Sequence, residues 1–203
     1  MKRLDAEEYG MDMTSSHFDL PTDLPAGLRV LLLPGWQDSG PGHWQAHWAK
    51  RPGFVRVEQD DWLWPRRGDW MAQLDAALLA DARPALLVAH SLGCQLVAAW
   101  ADHSRHVARV RGALLVAPPD TEREDMPPQL HNWRPIRRGR LPFPSIAVIS
   151  SDDPFGAAER STAMAADWGS SVVIAGPRGH LNADSGLGDW PEGRELLRSL
   201  AKP

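Results

Sequence analysis

The sequence has one cysteine and one tyrosine in 203 residues. A lone thiol, Cys94, excludes a disulfide framework and any multi-cysteine zinc or iron–sulfur site. No apolar run approaches the roughly 20 residues needed to cross a bilayer. Charge of either sign is also lacking in excess, with 22 basic against 26 acidic residues and a net charge of −4. That balance argues against a dedicated nucleic-acid or polybasic membrane binder. Behind Lys2 and Arg3 there is no apolar h-region, so a secretory signal is not expected and the cytoplasm is the default location. A Gly-rich phosphate cradle and a dinucleotide fingerprint are both missing, so no cofactor is expected. What the chain does have is tryptophan. There are ten, and Trp36, Trp44, Trp48, Trp62, Trp64 and Trp70 crowd into residues 36–70.

The apolar fraction of 43% is ordinary and suits one well-cored domain. Residues 1–26 are acidic, polar and proline-punctuated and read as a disordered extension, with residues 27–203 as a single domain. From Leu28 onward, short apolar runs alternate with helix-like stretches. RVLLL (Arg29–Leu33), ALLVA (Ala85–Ala89), GALLVA (Gly112–Ala117) and SIAVIS (Ser145–Ser150) have the continuous apolar character of strands buried on both faces. Phe54–Glu58 is a weaker strand candidate, and Val172–Ala175 is a further strand. Helical spacing marks Asp69–Asp81, Leu92–Ala101, Gly156–Trp168 and Glu192–Leu200. This alternation predicts a parallel sheet with helices on both faces. Residues 118–144, rich in proline and arginine, interrupt it and are long for a simple connection.

One segment carries chemistry. Ala85-Leu-Leu-Val-Ala89-His90-Ser91-Leu92-Gly93 is a buried strand, a tight turn and a helix, the context of a nucleophile elbow. Ala89 stands where the stricter motif has glycine. Ser91 could otherwise be a simple helix cap. His90, on the same turn, should point away from the reactive face and is not assigned as base. Cys94, one turn into the helix, reads as a small buried hydrophobe.

A serine hydroxyl needs a base, and the base needs an orienting carboxylate. SIAVIS runs into Ser151-Asp152-Asp153-Pro154, and the next strand runs into Gly176-Pro-Arg-Gly179-His180. Asp153 is the expected acid, because Pro154 fixes the chain after it, and His180 is the expected base. The oxyanion hole needs two converging N–H donors. Leu92 supplies one, and Trp36, in the loop after the first strand, supplies the other. Gly35, His43, Trp44 and Trp62 are candidate pocket residues. His43 and His47 have metalloprotease spacing but lack the glutamate that chemistry needs, so no metal is expected. Arg134, Arg137, Arg138 and Arg140 form a short basic cluster that reads first as a solvated loop and second as a pocket edge.

The blocks LLPGWQDSGPGHWQAHW, VAHSLGC, LLVAPPD, LPFPSIAVISSDDPF and GHLNADSGLGDWPEG together resemble the small α/β-hydrolase family of YdeN and retinoblastoma-binding protein nine. The resemblance spans residues 28–200. It implies a compact α/β-hydrolase fold of about six parallel strands with little or no cap. It also implies a serine hydrolase with Ser91, Asp153 and His180 as its triad, similar to carboxylesterases acting on small acyl esters. Two other readings remain open: an amidase or aminopeptidase-type hydrolase, and a protein-binding module with vestigial activity.

Overall fold

The computed structural model describes residues 27–202; the extension expected over 1–26 lies outside them. Six strands, β1 (Arg29–Leu33), β2 (Phe54–Arg56), β3 (Ala85–His90), β4 (Val110–Val116), β5 (Ser145–Ile149) and β6 (Ser171–Ile174), form one sheet in the order β2-β1-β3-β4-β5-β6. Every pairing is parallel. Between them run α1 (Trp44–Trp48), α2 (Arg67–Leu79), α3 (Leu92–Ala101) and α4 (Ala158–Trp168), with α5 (Pro191–Leu200) last.

Both faces of the sheet are covered, which explains the unbroken apolar runs of β1 and β3. Their side chains alternate between two cores, as the pleat requires. Leu31, Leu33, Leu87 and Ala89 face a core shared with α2, α3 and α4. Val30, Leu32, Leu86 and Val88 face one shared with α1 and α5. The helix placement follows from right-handed crossovers. The β1-to-β2 step runs one way along the sheet and the later steps run the other, so α1 lies on the opposite face from α2, α3 and α4. Each fully buried leucine contributes about 1.5–3 kcal/mol.

β1 and α3 have the bounds the sequence predicts, and the other predicted elements differ from the expectation by at most two residues at either end. Helix α2 stops at Leu79, short of Asp81. The Asp81 carboxylate accepts the Arg83 N–H at 2.8 Å in a turn. Buried Arg29 donates to the carbonyls of Ala77, Leu78 and Asp81, so the helix end is capped from β1.

Strand order reverses between β1 and β3, and open α/β sheets place their sites outside the strand ends at such a point. The register pairs Leu33 with Ala89. It therefore sets the loop after β1 beside the turn after β3.

Candidate active site

Ser91 sits on that turn with φ 54° and ψ −122°, a conformation rare for a residue with a side chain. Two glycines make room for it. A Cβ on Gly93 would lie 2.4 Å from the Leu33 carbonyl oxygen, and one on Gly35 would lie 2.7 Å from Ser91 Cβ. The Ser91 N–H donates to the Val116 carbonyl at the end of β4 (2.8 Å), which pins the turn to the sheet. Although Ser91 occupies the cap position of α3, its side chain makes no capping bond. Its hydroxyl instead lies 2.8 Å from His180 Nε2.

His180 Nδ1 lies 2.9 Å from both carboxylate oxygens of Asp153. The Asp153 side chain is 3% exposed and that of His180 9%, so this pair is largely shielded from water. Asp153 Oδ1 also accepts the Phe155 N–H across Pro154, and the Phe155 ring lies 4.5 Å from the imidazole. Asp152 does something different. Its Oδ1 accepts from the Ser150 hydroxyl (2.8 Å) and the Gly179 N–H (2.7 Å), joining the two loops. Those bonds hold its carboxyl below the usual carboxylate range.

Ser91 opens into a cleft of about 260 Å³. Its lining includes the polar Gln37, Asp38, His43 and Asn182 and the apolar Met126, Leu130 and Phe155. Trp36 and Leu92 both border the cleft. Among the described residues the backbone N–H of neither has an acceptor, whereas that of Gln37 is taken by the Trp62 carbonyl. Free N–H groups beside the serine are what an oxyanion requires.

Several pocket expectations are corrected. Trp44 is 1% exposed and does not reach the cleft; it packs against Trp48 and Trp190 and donates to the Leu181 carbonyl at 2.8 Å. Trp62 packs edge-on against Trp70, also away from the cleft. Gly35 backs onto Ser91 rather than lining the space in front of it. His43 does line the cleft, and it is buried there. Its Nδ1 accepts the Gln45 N–H at the start of α1, and burial lowers its pKa to about 4. The arginines of the 118–144 segment line no part of the cleft. Arg134 donates to the Thr121 and Arg123 carbonyls, and Arg138 pairs with Asp167. Burial pushes the Cys94 thiol up, away from thiolate, in keeping with a small core residue.

The cleft's apolar wall, Met126 and Leu130, was missed by sequence reading. Those residues lie in the irregular segment, where no periodicity singles out a side chain. Pro118-Pro119, one residue beyond the end of β4, was the one available signal, since it fixes where that segment leaves the sheet.

A family model described as serine hydrolase matches residues 30–199. The chain belongs to the serine hydrolase family. A protein described as a YdeN-like hydrolase, from Pectobacterium atrosepticum, is 28% identical, with a TM-score of 0.76 over 86% of this chain and 90% of that one. The ydeN gene product from B. subtilis is 20% identical, with a TM-score of 0.65 over 85% and 97%. The esterase RhEst1 from Rhodococcus sp. is 15% identical, with a TM-score of 0.63 over 87% and 90%. At those lower identities the likeness is one of fold. No curated protein matches the chain. Among the described residues, no helix of this serine hydrolase is long and apolar enough to cross a membrane.

Proposed function

We propose that this serine hydrolase cleaves small acyl esters through an acyl-enzyme on Ser91. The observation that carries the proposal is the hydrogen-bonded line from Ser91 Oγ through His180 to Asp153, at 2.8 and 2.9 Å. His180 Nε2 takes the serine proton as Oγ attacks the ester carbonyl. Asp153 orients the ring and stabilises the imidazolium that forms. The backbone N–H groups of Trp36 and Leu92 bind the developing oxyanion. His180 then protonates the departing alcohol. In the second half, water attacks the acyl-enzyme with His180 again as base, and Ser91 is released.

A cleft of about 260 Å³ is below the roughly 300–1,000 Å³ of drug-sized sites, which favours short acyl groups against Met126 and Leu130. An aminopeptidase would need a free acid to anchor the substrate amine. Asp38, an acidic residue lining the cleft, is already paired with Arg56 at 2.9 Å. The ester reading is therefore preferred to the amine-anchored one. Catalysis in the cytoplasm, without cofactor, metal, nucleic acid or membrane, belongs to the same proposal.

The test is labelling by a fluorophosphonate together with turnover of p-nitrophenyl acetate and of aminoacyl amides. The unsubstituted protein should label and prefer the ester. Ser91→Ala should lose labelling and at least about 10⁴-fold in kcat. Labelling that persists on Ser91→Ala would overturn the assignment. An unsubstituted protein that neither labels nor turns over either substrate would instead fit a binding module.

A further inference from the structure

His90 precedes the nucleophile, is 5% exposed, and has no part in the acyl-transfer steps. Its Nε2 lies 2.9 Å from the backbone carbonyl oxygen of His180. A carbonyl only accepts, so Nε2 carries the proton and donates it. We infer that His90 is a positioning residue for the base: its ring clamps the main chain at His180 and thereby sets the hydrogen bond from His180 Nε2 to Ser91. The inference rests on the hydrolase reading.

The arrangement around that clamp is specific. Three successive residues of the loop after β6 are each held by one side chain from another part of the fold. The Gly179 N–H goes to Asp152, the His180 carbonyl to His90 and the Leu181 carbonyl to Trp44. Only the middle tether acts on the base itself, and it comes from the residue bonded to Ser91. Nucleophile and base are thus referenced to one rigid turn at the end of β3. A base held in this way keeps its reach to Ser91 while the imidazole changes charge.

The His90 ring is itself braced. The His43 ring approaches it edge-on at 4.6 Å, and the His180 ring lies 4.9 Å away on a tilt. His43 cannot swing, because its Nδ1 is engaged by the Gln45 N–H. Burial keeps the His43 and His90 rings neutral. A neutral support matters, since a cation there would oppose the imidazolium that forms on His180.

Three substitutions separate positioning from packing. Gln places an amide nitrogen near the site of Nε2, Asn has the same amide on a shorter stem, and Leu has no donor. In His90→Leu and His90→Asn, kcat on p-nitrophenyl acetate should fall by about 10²-fold. KM should stay within about threefold. His90→Gln should recover most of the loss. The downfield proton resonance of His180 Nδ1, hydrogen-bonded to Asp153, should shift or broaden in the Leu and Asn variants and persist in His90→Gln. If His90→Leu fails to fold, the comparison of Asn with Gln decides. Leu and Asn variants with unchanged kcat, or a folded Gln variant as impaired as the Asn one, would overturn the inference. Should the unsubstituted protein turn over no ester, the hydrolase reading fails by itself, and the resonance comparison still decides whether His90 positions the base.

Discussion

Gly93 and Leu33 meet so closely that a methyl group on Gly93 would stand 2.4 Å from the Leu33 carbonyl oxygen. That contact holds the start of α3 against the end of β1, and with it Ser91 against the loop that follows β1. Gly93→Ala must push α3 off the sheet and should cost about 3 kcal/mol, read from the urea midpoint. Gly35→Ala places its methyl 2.7 Å from Ser91 Cβ and 3.2 Å from its hydroxyl. That variant should lose kcat by about 10²-fold with a smaller loss of stability. Equal effects of the two alanines on stability and rate would contradict this division.

The two adjacent aspartates should separate cleanly. Asp153→Asn removes the carboxylate that orients His180 and should lower kcat by about 10⁴-fold. Asp152→Asn keeps an Oδ1 that can accept the Gly179 N–H and should cost only about threefold. The opposite ranking, measured on one ester under one set of conditions, would exchange their roles.

Chain-length preference should respond to the apolar wall and not to the buried tryptophan. Leu130→Ala enlarges the cleft and should raise the hexanoate-to-acetate ratio of kcat/KM by about tenfold. Trp44→Phe leaves the Leu181 carbonyl without its donor and should destabilise the fold by about 1–3 kcal/mol. Its acyl preference should remain that of the unsubstituted protein.

Acid should weaken the fold before the carboxylates titrate. His43 and His90 are buried neutral, with pKa values pushed below the ordinary histidine value near 6.5, that of His43 to about 4. Between those limits the unfolded chain binds more protons than the folded one, so stability falls as pH drops. The contribution is fully present above about pH 6.5 and is lost on the way down through about pH 4. Urea midpoints at pH 7, 5.5 and 4.5 should decline, and His43→Asn should flatten the decline. A midpoint insensitive to pH over that range would speak against the neutral buried pair.

How much of this was legible beforehand depends on whether local rules govern each part. Strands β1, β3, β4 and β5 announced themselves because burial on both faces leaves an unbroken apolar run inside each. The elbow was legible because strand, small residue, serine and helix must follow in that order. The placement of Asp153 and His180 next to Ser91 was reachable through strand ends and chain order. The pocket was not, since what faces the cleft depends on how irregular segments fold back. Trp44 shows why: one side chain could wall a site or fill a core, and only its contact with Trp190, 146 positions away, decides between them. The partnership of His90 with His180 escaped for the same reason, being a bond across 90 positions.

The tryptophan surplus has a role that volume alone does not describe. Six indole N–H groups donate to backbone carbonyls: Trp36 to Leu63, Trp44 to Leu181, Trp48 to Asp189, Trp70 to Asp61, Trp133 to Pro65 and Trp168 to Arg137. Three of these acceptors lie in the loop of residues 61–65 behind Trp36. An indole donates but neither accepts nor ionises. These tethers therefore contribute no titration of their own, and added salt cannot screen them as it screens an exposed ion pair. A chain with one tyrosine thus ties down its loops with bonds indifferent to pH and ionic strength, leaving acid to act through the histidines beside Ser91.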